Sequence, residues 1–94
     1  MTVSERMMLS AAEVYLVHTQ VLNMHEYMKL ESKLDKVGRI IYGGYMRGAD
    51  NWHRPTVRSA VFIVVVRPED RQKLKAMIKQ LNKEIASHIT YFPL

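Results

Sequence analysis

The stretch "TVRSAVFIVVVR", Thr56 to Arg67, is the longest β-favouring run in the chain, and its two parities decide what kind of sheet it can join. One parity reads Val57, Ser59, Val61, Ile63 and Val65; the other reads Arg58, Ala60, Phe62, Val64 and Val66. A strand with one solvated face alternates apolar with polar residues, whereas one covered on both faces is apolar throughout. This run is apolar on both sides from position 60 onward. "AEVYLVHTQVL", Ala12 to Leu22, shows the same two-sidedness, with Val14 and Leu16 against Tyr15 and Val17. Two such strands predict the centre of a sheet.

The segments around them supply the order. Asn23 followed by Glu26 is an N-cap signature. Met24, Tyr27, Met28, Leu30, Leu34 and Val37 then recur at helical intervals up to Gly38, where a left-handed residue is expected to close the first helix. "RIIYGGY", Arg39 to Tyr45, predicts a short strand weakened by its paired glycines. Pro68 suits a first helical position, with Glu69 and Asp70 beside the positive helix start. Leu74, Met77, Ile78, Leu81 and Ile85 form one apolar stripe on the helix that follows. "SHITYFPL" closes the chain as a short strand opened by His88, and Pro93 favours a sheet edge.

The order β-α-β-β-α-β predicts an α+β fold of the ferredoxin-like type: a four-stranded antiparallel sheet in the order 4-1-3-2 with both helices on one face. Residues 1–10 lack either period and read as a flexible N-terminal arm, leaving 11–94 as a single domain. With both helices on one side, the opposite face carries Val57, Val61, Ile63 and Val65. An apolar face of that kind costs about 25 cal/mol per Å² when left in water, so these residues are expected to form an oligomer interface. The alternative is an N-terminal arm folded back over the sheet with Met7, Met8 and Leu9.

Composition bounds the function. Hydrophobic residues at 48% and charged residues at 24% exclude a disordered chain, and 94 residues give a thin core that gains from association, as a dimer or trimer. The absence of cysteine removes disulfides and thiol chemistry. A net charge of +5 and a pI near 9.7 favour an anionic partner. Glu5 and Arg6 stand where a secretory signal needs an apolar run, and no apolar run reaches membrane length, so the expectation is a soluble cytoplasmic chain with no membrane partner.

Chemistry-bearing patterns are sparse. His18, His25, His53 and His88 form no H-x-x-x-H or H-x-H pair, so no metal site or other cofactor is expected. The acidic residues sit at helix starts and on solvated faces, and no enzyme is expected. Lys75, Lys79 and Lys83, with Lys73 and Arg71 nearby, repeat along the outside of the second helix. They form a solvated face in the first reading and a nucleic-acid grip in the second. Met24, Met28 and Met77 read as core. In "GGYMRGADNWHRP", Gly43 to Pro55, the residues Arg47, Asn51, Trp52, His53 and Arg54 bring donors and an indole onto a glycine-hinged hairpin tip. Such a tip suits an anionic small molecule or an amino acid; equally, its glycines supply turns and Trp52 packs against a neighbouring subunit.

From Val57 onward, the Ser59 to Val66 strand and "IKQLNKEI", Ile78 to Ile85, resemble the second half of an ACT domain of the acetolactate synthase small-subunit type. The resemblance covers roughly a third of the chain. It implies a non-catalytic regulatory module that dimerises, binds an amino acid at the interface and serves a larger catalytic partner. The first half departs from that family, with "VLNMHEY", Val21 to Tyr27, where a proline-glycine turn is usual. The element order, the long hairpin and the ending "YFPL" also resemble trimeric PII-like and CutA-like signalling proteins, without their Gly-rich segment before the last strand. "VYLVHT", Val14 to Thr19, resembles the first-strand signature of an RNA-recognition motif. The third-strand positions Ala60, Phe62 and Val65 offer one aromatic among three, which suits a protein neighbour better than stacked bases.

Overall fold

The computed structural model describes residues 12–47, 56–85 and 88–94. It is an α+β arrangement of two helices and an antiparallel sheet. β1 (Glu13–Asn23) leads into α1 (Met24–Val37), followed by β2 (Arg39–Arg47) and β3 (Thr56–Val66). A single 3-10 turn (Pro68–Asp70) precedes α2 (Arg71–Glu84), and β4 (Thr90–Pro93) ends the order. Among the described residues the sheet holds four strands in the order β2-β3-β1-β4, which reads 4-1-3-2 from the β4 edge.

The central ladder joins β1 to β3 from Glu13 opposite Val66 to Asn23 opposite Thr56. On one side of it, Tyr15 and Val17 of β1 and Ala60, Phe62, Val64 and Val66 of β3 meet Tyr27, Leu30 and Leu34 of α1 and Leu74, Ile78 and Leu81 of α2 in one buried cluster. Both helical stripes expected from the sequence therefore reach the same sheet face. Met24 and Met77 pack against this core, but Met28 points away from it and is exposed, because the stripe of α1 is narrower than its run of apolar residues.

The helix ends follow local chemistry. Asn23 is both the last residue of β1 and the N-cap of α1. Its side-chain oxygen accepts from the Glu26 backbone N–H at 2.8 Å, and the Asn23 N–H donates to Glu26 Oε1 at 3.0 Å. This capping box turns strand directly into helix with no intervening loop. Gly38 ends α1, but in extended conformation (φ −164°, ψ −168°) rather than the left-handed one. Its value is the missing side chain: a Cβ there meets the Val65 carbonyl oxygen at 2.6 Å and Val66 Cγ2 at 3.0 Å, so only glycine lets the chain cross this close to β3. Pro68 does not begin the second helix directly. It opens the 3-10 turn, and the α-helix proper starts at Arg71.

β2 runs two residues further than expected, to Arg47, with Gly43 and Gly44 inside it. Gly43 leaves room for the buried Phe62 ring, which a Cβ would meet at 3.1 Å. A register shift at Ile41 makes Tyr42, not Ile41, the partner of Ile63, and a second between Met46 and Arg47 leaves Arg58 as the extra residue on β3. Beyond that bulge the alternation changes side: Val57 is fully buried in the core and not on the open face with Val61, Ile63 and Val65. Its partner Leu22 is buried with it. The last strand is shorter than expected, and His88 lies before it, exposed. Asn82 of α2 holds that return: its side chain accepts from the Ile89 N–H at 2.6 Å and donates to the Ile89 carbonyl at 3.0 Å.

Replacing Gly38 with alanine is expected to lower stability by about 1–3 kcal/mol, the range for forcing an added methyl into a packed site. Gly44→Ala meets only the Tyr42 hydroxyl end at 3.0 Å, an exposed ring that can shift, and is expected to stay within about 0.5 kcal/mol of the parent. Urea unfolding of the two variants checks the contrast; equal losses would contradict it.

Candidate functional site

The sheet face opposite the helices is built in rows, because antiparallel partners stand side by side on the same face. Leu16 of β1 pairs with Ile63 of β3 and Phe92 of β4, and Ile63 pairs with Tyr42 of β2, so one row crosses all four strands as Phe92, Leu16, Ile63, Tyr42. The next row is Thr90, His18, Val61, Gly44. On the other side Val14 and Val65 pair, Leu94 donates its N–H to the Val14 carbonyl at 2.8 Å, and Arg39 closes the corner. Gln20, Ser59 and Met46 form the row at the far end.

Most of this face is apolar, with His18, Thr90, Gln20, Ser59 and Arg39 as its polar positions. Val14, Leu16, Val61, Ile63 and Val65 are half-buried. The outer side chains stand well into solvent, Tyr42 at 56%, Met46 at 61%, Phe92 at 48% and Leu94 at 66%. Four strands about 4.8 Å apart and some six residues at about 3.3 Å each give a face of roughly 400 Å² in projection, the size of the largest patch on a typical monomer, which is often functional. Three of the four interface residues read from the sequence, Val61, Ile63 and Val65, lie on it; Val57 does not. Tyr42, Met46, Phe92 and Leu94 escaped the sequence reading. Extending the β3 parity across to the edge strands would have found Phe92, but the bulge at Ile41 hides the alignment of Tyr42.

The hairpin residues fare differently. Arg47 is exposed at the end of β2, in strand and not in loop. Asn51, Trp52, His53 and Arg54 lie outside the described residues, so the expected grouping of five has one member placed. Of the basic residues on α2, Lys75, Lys79 and Lys83 are exposed, while the other two are turned to carboxylates. Arg71 donates to Glu13 through Nε at 3.1 Å and also through Nη2, and Lys73 lies 3.4 Å from Asp70.

Those carboxylates clamp elements together. The Arg71 guanidinium, with the Tyr15 hydroxyl, holds Glu13 below the usual carboxylate range, and Glu13 in turn pushes the Tyr15 phenol up. Burial pushes Asp70 up, but hydrogen bonds from Arg67, at 3.1 Å, and from Lys73 outweigh it and leave the group lowered. Lys29 of α1 reaches Glu84 of α2 at 2.6 Å and lowers it. Tyr27, raised mainly by burial, stacks on Phe62 at 5.3 Å and meets Tyr45 edge-on at 4.8 Å. Each of these groups has a structural partner. Among the described residues no three His, Cys, Asp or Glu side chains are grouped to hold a metal, and no helix is long and apolar enough to cross a membrane.

In comparisons with known proteins, the chain matches no family model and no curated protein.

Because Glu13, Asp70 and Glu84 are lowered on folding, the unfolded chain binds more protons below the ordinary carboxylate range. Their stabilisation is complete above that range and is lost as pH falls through the lowered values. The thermal midpoint of the wild type is expected to drop between about pH 5 and pH 2.5, and Arg71→Gln to drop less steeply because Glu13 then loses the largest cause of its lowering. Parallel pH curves for the two proteins would contradict the Glu13 assignment.

Proposed function

We propose that this chain is a ferredoxin-like, non-catalytic regulatory module that works as an oligomer assembled through its open sheet face. The strand order β2-β3-β1-β4 with both helices packed on one face supports the fold assignment. The single observation that carries the assembly is the apolar row Phe92, Leu16, Ile63, Tyr42, which spans the whole sheet on the side away from the helices. Burying it against a neighbour adds a second core to a domain whose own core is small. A second copy is the partner that the face fits, because among the described residues it carries no carboxylate side chain and one corner cation, Arg39, so that two copies bring no like-charged pair to its centre.

The sensing role rests on the ACT-like second half and on Arg47, which stands exposed at the β2 end next to the hairpin. An anionic metabolite or an amino acid is the ligand class these donors suit. Titration with amino acids, nucleotides and simple anions, followed through the emission of the sole tryptophan, is expected to give a saturable response that Arg47→Ala weakens.

Ile63→Glu and Leu16→Lys each place a charge at the centre of the face while leaving the helix-side core intact. Light scattering at tens of micromolar is expected to give a multiple of 11.0 kDa for the wild type and 11.0 kDa for either variant, with unchanged far-UV circular dichroism. A wild type that is monomeric under those conditions contradicts the proposal.

A further inference from the structure

Among the described residues, His18 is the one titratable side chain at the centre of the open face. It occupies the middle of β1, an inner strand, opposite Val61 of β3 and Thr90 of β4, and it is half-buried. The Thr90 hydroxyl donates to the His18 backbone carbonyl at 3.3 Å, which ties β4 to β1 beside the imidazole and leaves the ring itself uninvolved in that bond. Along its own strand the neighbours on this face are Leu16 and Gln20. From β3 it faces Val61 between Ser59 and Ile63, and from β2, one strand further, Gly44 and the phenol of Tyr42. Among the described residues, the basic side chains nearest the face stand at its margins: Arg39 at the Val65 corner, Arg58 at the bulge, and His88 ahead of β4. No carboxylate side chain among the described residues stands on the face to pair with an imidazolium.

We propose that His18 makes the assembly of this protein pH-dependent, holding two copies together while its imidazole is neutral and separating them when it is protonated. The inference rests on the face-to-face assembly proposed above. Imidazole is the side chain whose charge changes between about pH 8 and pH 5. Neutral, it is covered at modest cost in an interface lined by Leu16, Val61 and Ile63. Charged, it is desolvated against a face that offers no carboxylate side chain among the described residues. A symmetric contact doubles the effect, because a two-fold axis through the middle of the face brings both His18 side chains close to it, and two imidazolium ions then repel. The proton taken up comes from solvent, and no other bond changes.

The experiment is sedimentation velocity of the full chain across pH 8 to pH 5, on the wild type, His18→Gln, His18→Lys, and His25→Gln and His88→Gln as controls. The wild type and both controls are expected to be assembled at pH 8 and to weaken by at least about tenfold in association constant by pH 5. His18→Gln is expected to stay assembled throughout, and His18→Lys to be monomeric throughout, with circular dichroism confirming that each is folded. If the wild type is assembled and indifferent to pH, or if His18→Gln keeps the wild-type pH dependence, the His18 inference is overturned while the assembly reading stands. If the wild type is monomeric at pH 8, both are overturned.

Discussion

Along the ladder from Glu13 opposite Val66 to Asn23 opposite Thr56, two inner strands carry apolar side chains on both sides, and every other element is placed by how those sides are covered. One side takes both helices. Leu30 and Leu34 of α1 and Leu74, Ile78 and Leu81 of α2 close over Val17, Phe62, Val64 and Val66. The other side takes none of them. Among the described residues no third helix covers it, and Leu16, Val61, Ile63 and Val65 form a half-buried floor bordered by the more exposed Tyr42, Met46, Phe92 and Leu94. The polar bonds serve to lock the covered side. The Asn23–Glu26 box turns β1 straight into α1, Asn82 pins the return to β4, and the Glu13–Arg71 and Lys29–Glu84 pairs fasten α2 to β1 and to α1. Exposed ion pairs of this kind add modestly to stability; their role here is to fix the positions of elements that hydrophobic burial has already brought together.

The features readable from the sequence are those set by local chemistry or by a period. The capping box, the Leu74 to Ile85 stripe and the alternation of Ala60 to Val66 each depend on residues a few positions apart, and the structure reproduces them. Features set by distant neighbours were not readable in the same way. Gly38 is required by the Val65 carbonyl of another strand and not by a left-handed turn, and Gly43 lies tight against the ring of Phe62. The bulges at Ile41 and Arg58 change which side chains share a face. That is why Val57 moved into the core, and why Tyr42 joined the open face without any pattern within β2 announcing it. The candidate site was legible to the same degree: its central aliphatic residues follow from strand parity, while its edge residues require the register. The grouping of Asn51, Trp52, His53 and Arg54 with Arg47 falls outside the described residues, so the hairpin reading rests on composition.

Along β1 and β4 the face is apolar through the rows of Val14 and Leu16, and polar side chains enter it from His18 onward. On β1 the positions facing away from the helices read Val14, Leu16, His18, Gln20, so polarity rises toward the bulged end, where Ser59 and Met46 complete the last row. The apolar and polar halves of the face meet at His18. His18 therefore stands where the apolar positions Val14 and Leu16 give way to Gln20 and Ser59.

The central claim is that the open face meets the open face of a second copy, and the absence of native cysteine permits a direct distance measurement. A single cysteine introduced at Val61, carrying a nitroxide label, places one spin at the middle of the face in each copy; the same label at Ala76, on the exposed outside of α2, serves as reference. The account predicts a strong dipolar coupling for the Val61 label, with a separation under about 20 Å, since stacked sheets lie about 10 Å apart. For the Ala76 label it predicts a much longer separation. No coupling at Val61, or a shorter distance at Ala76 than at Val61, would contradict it.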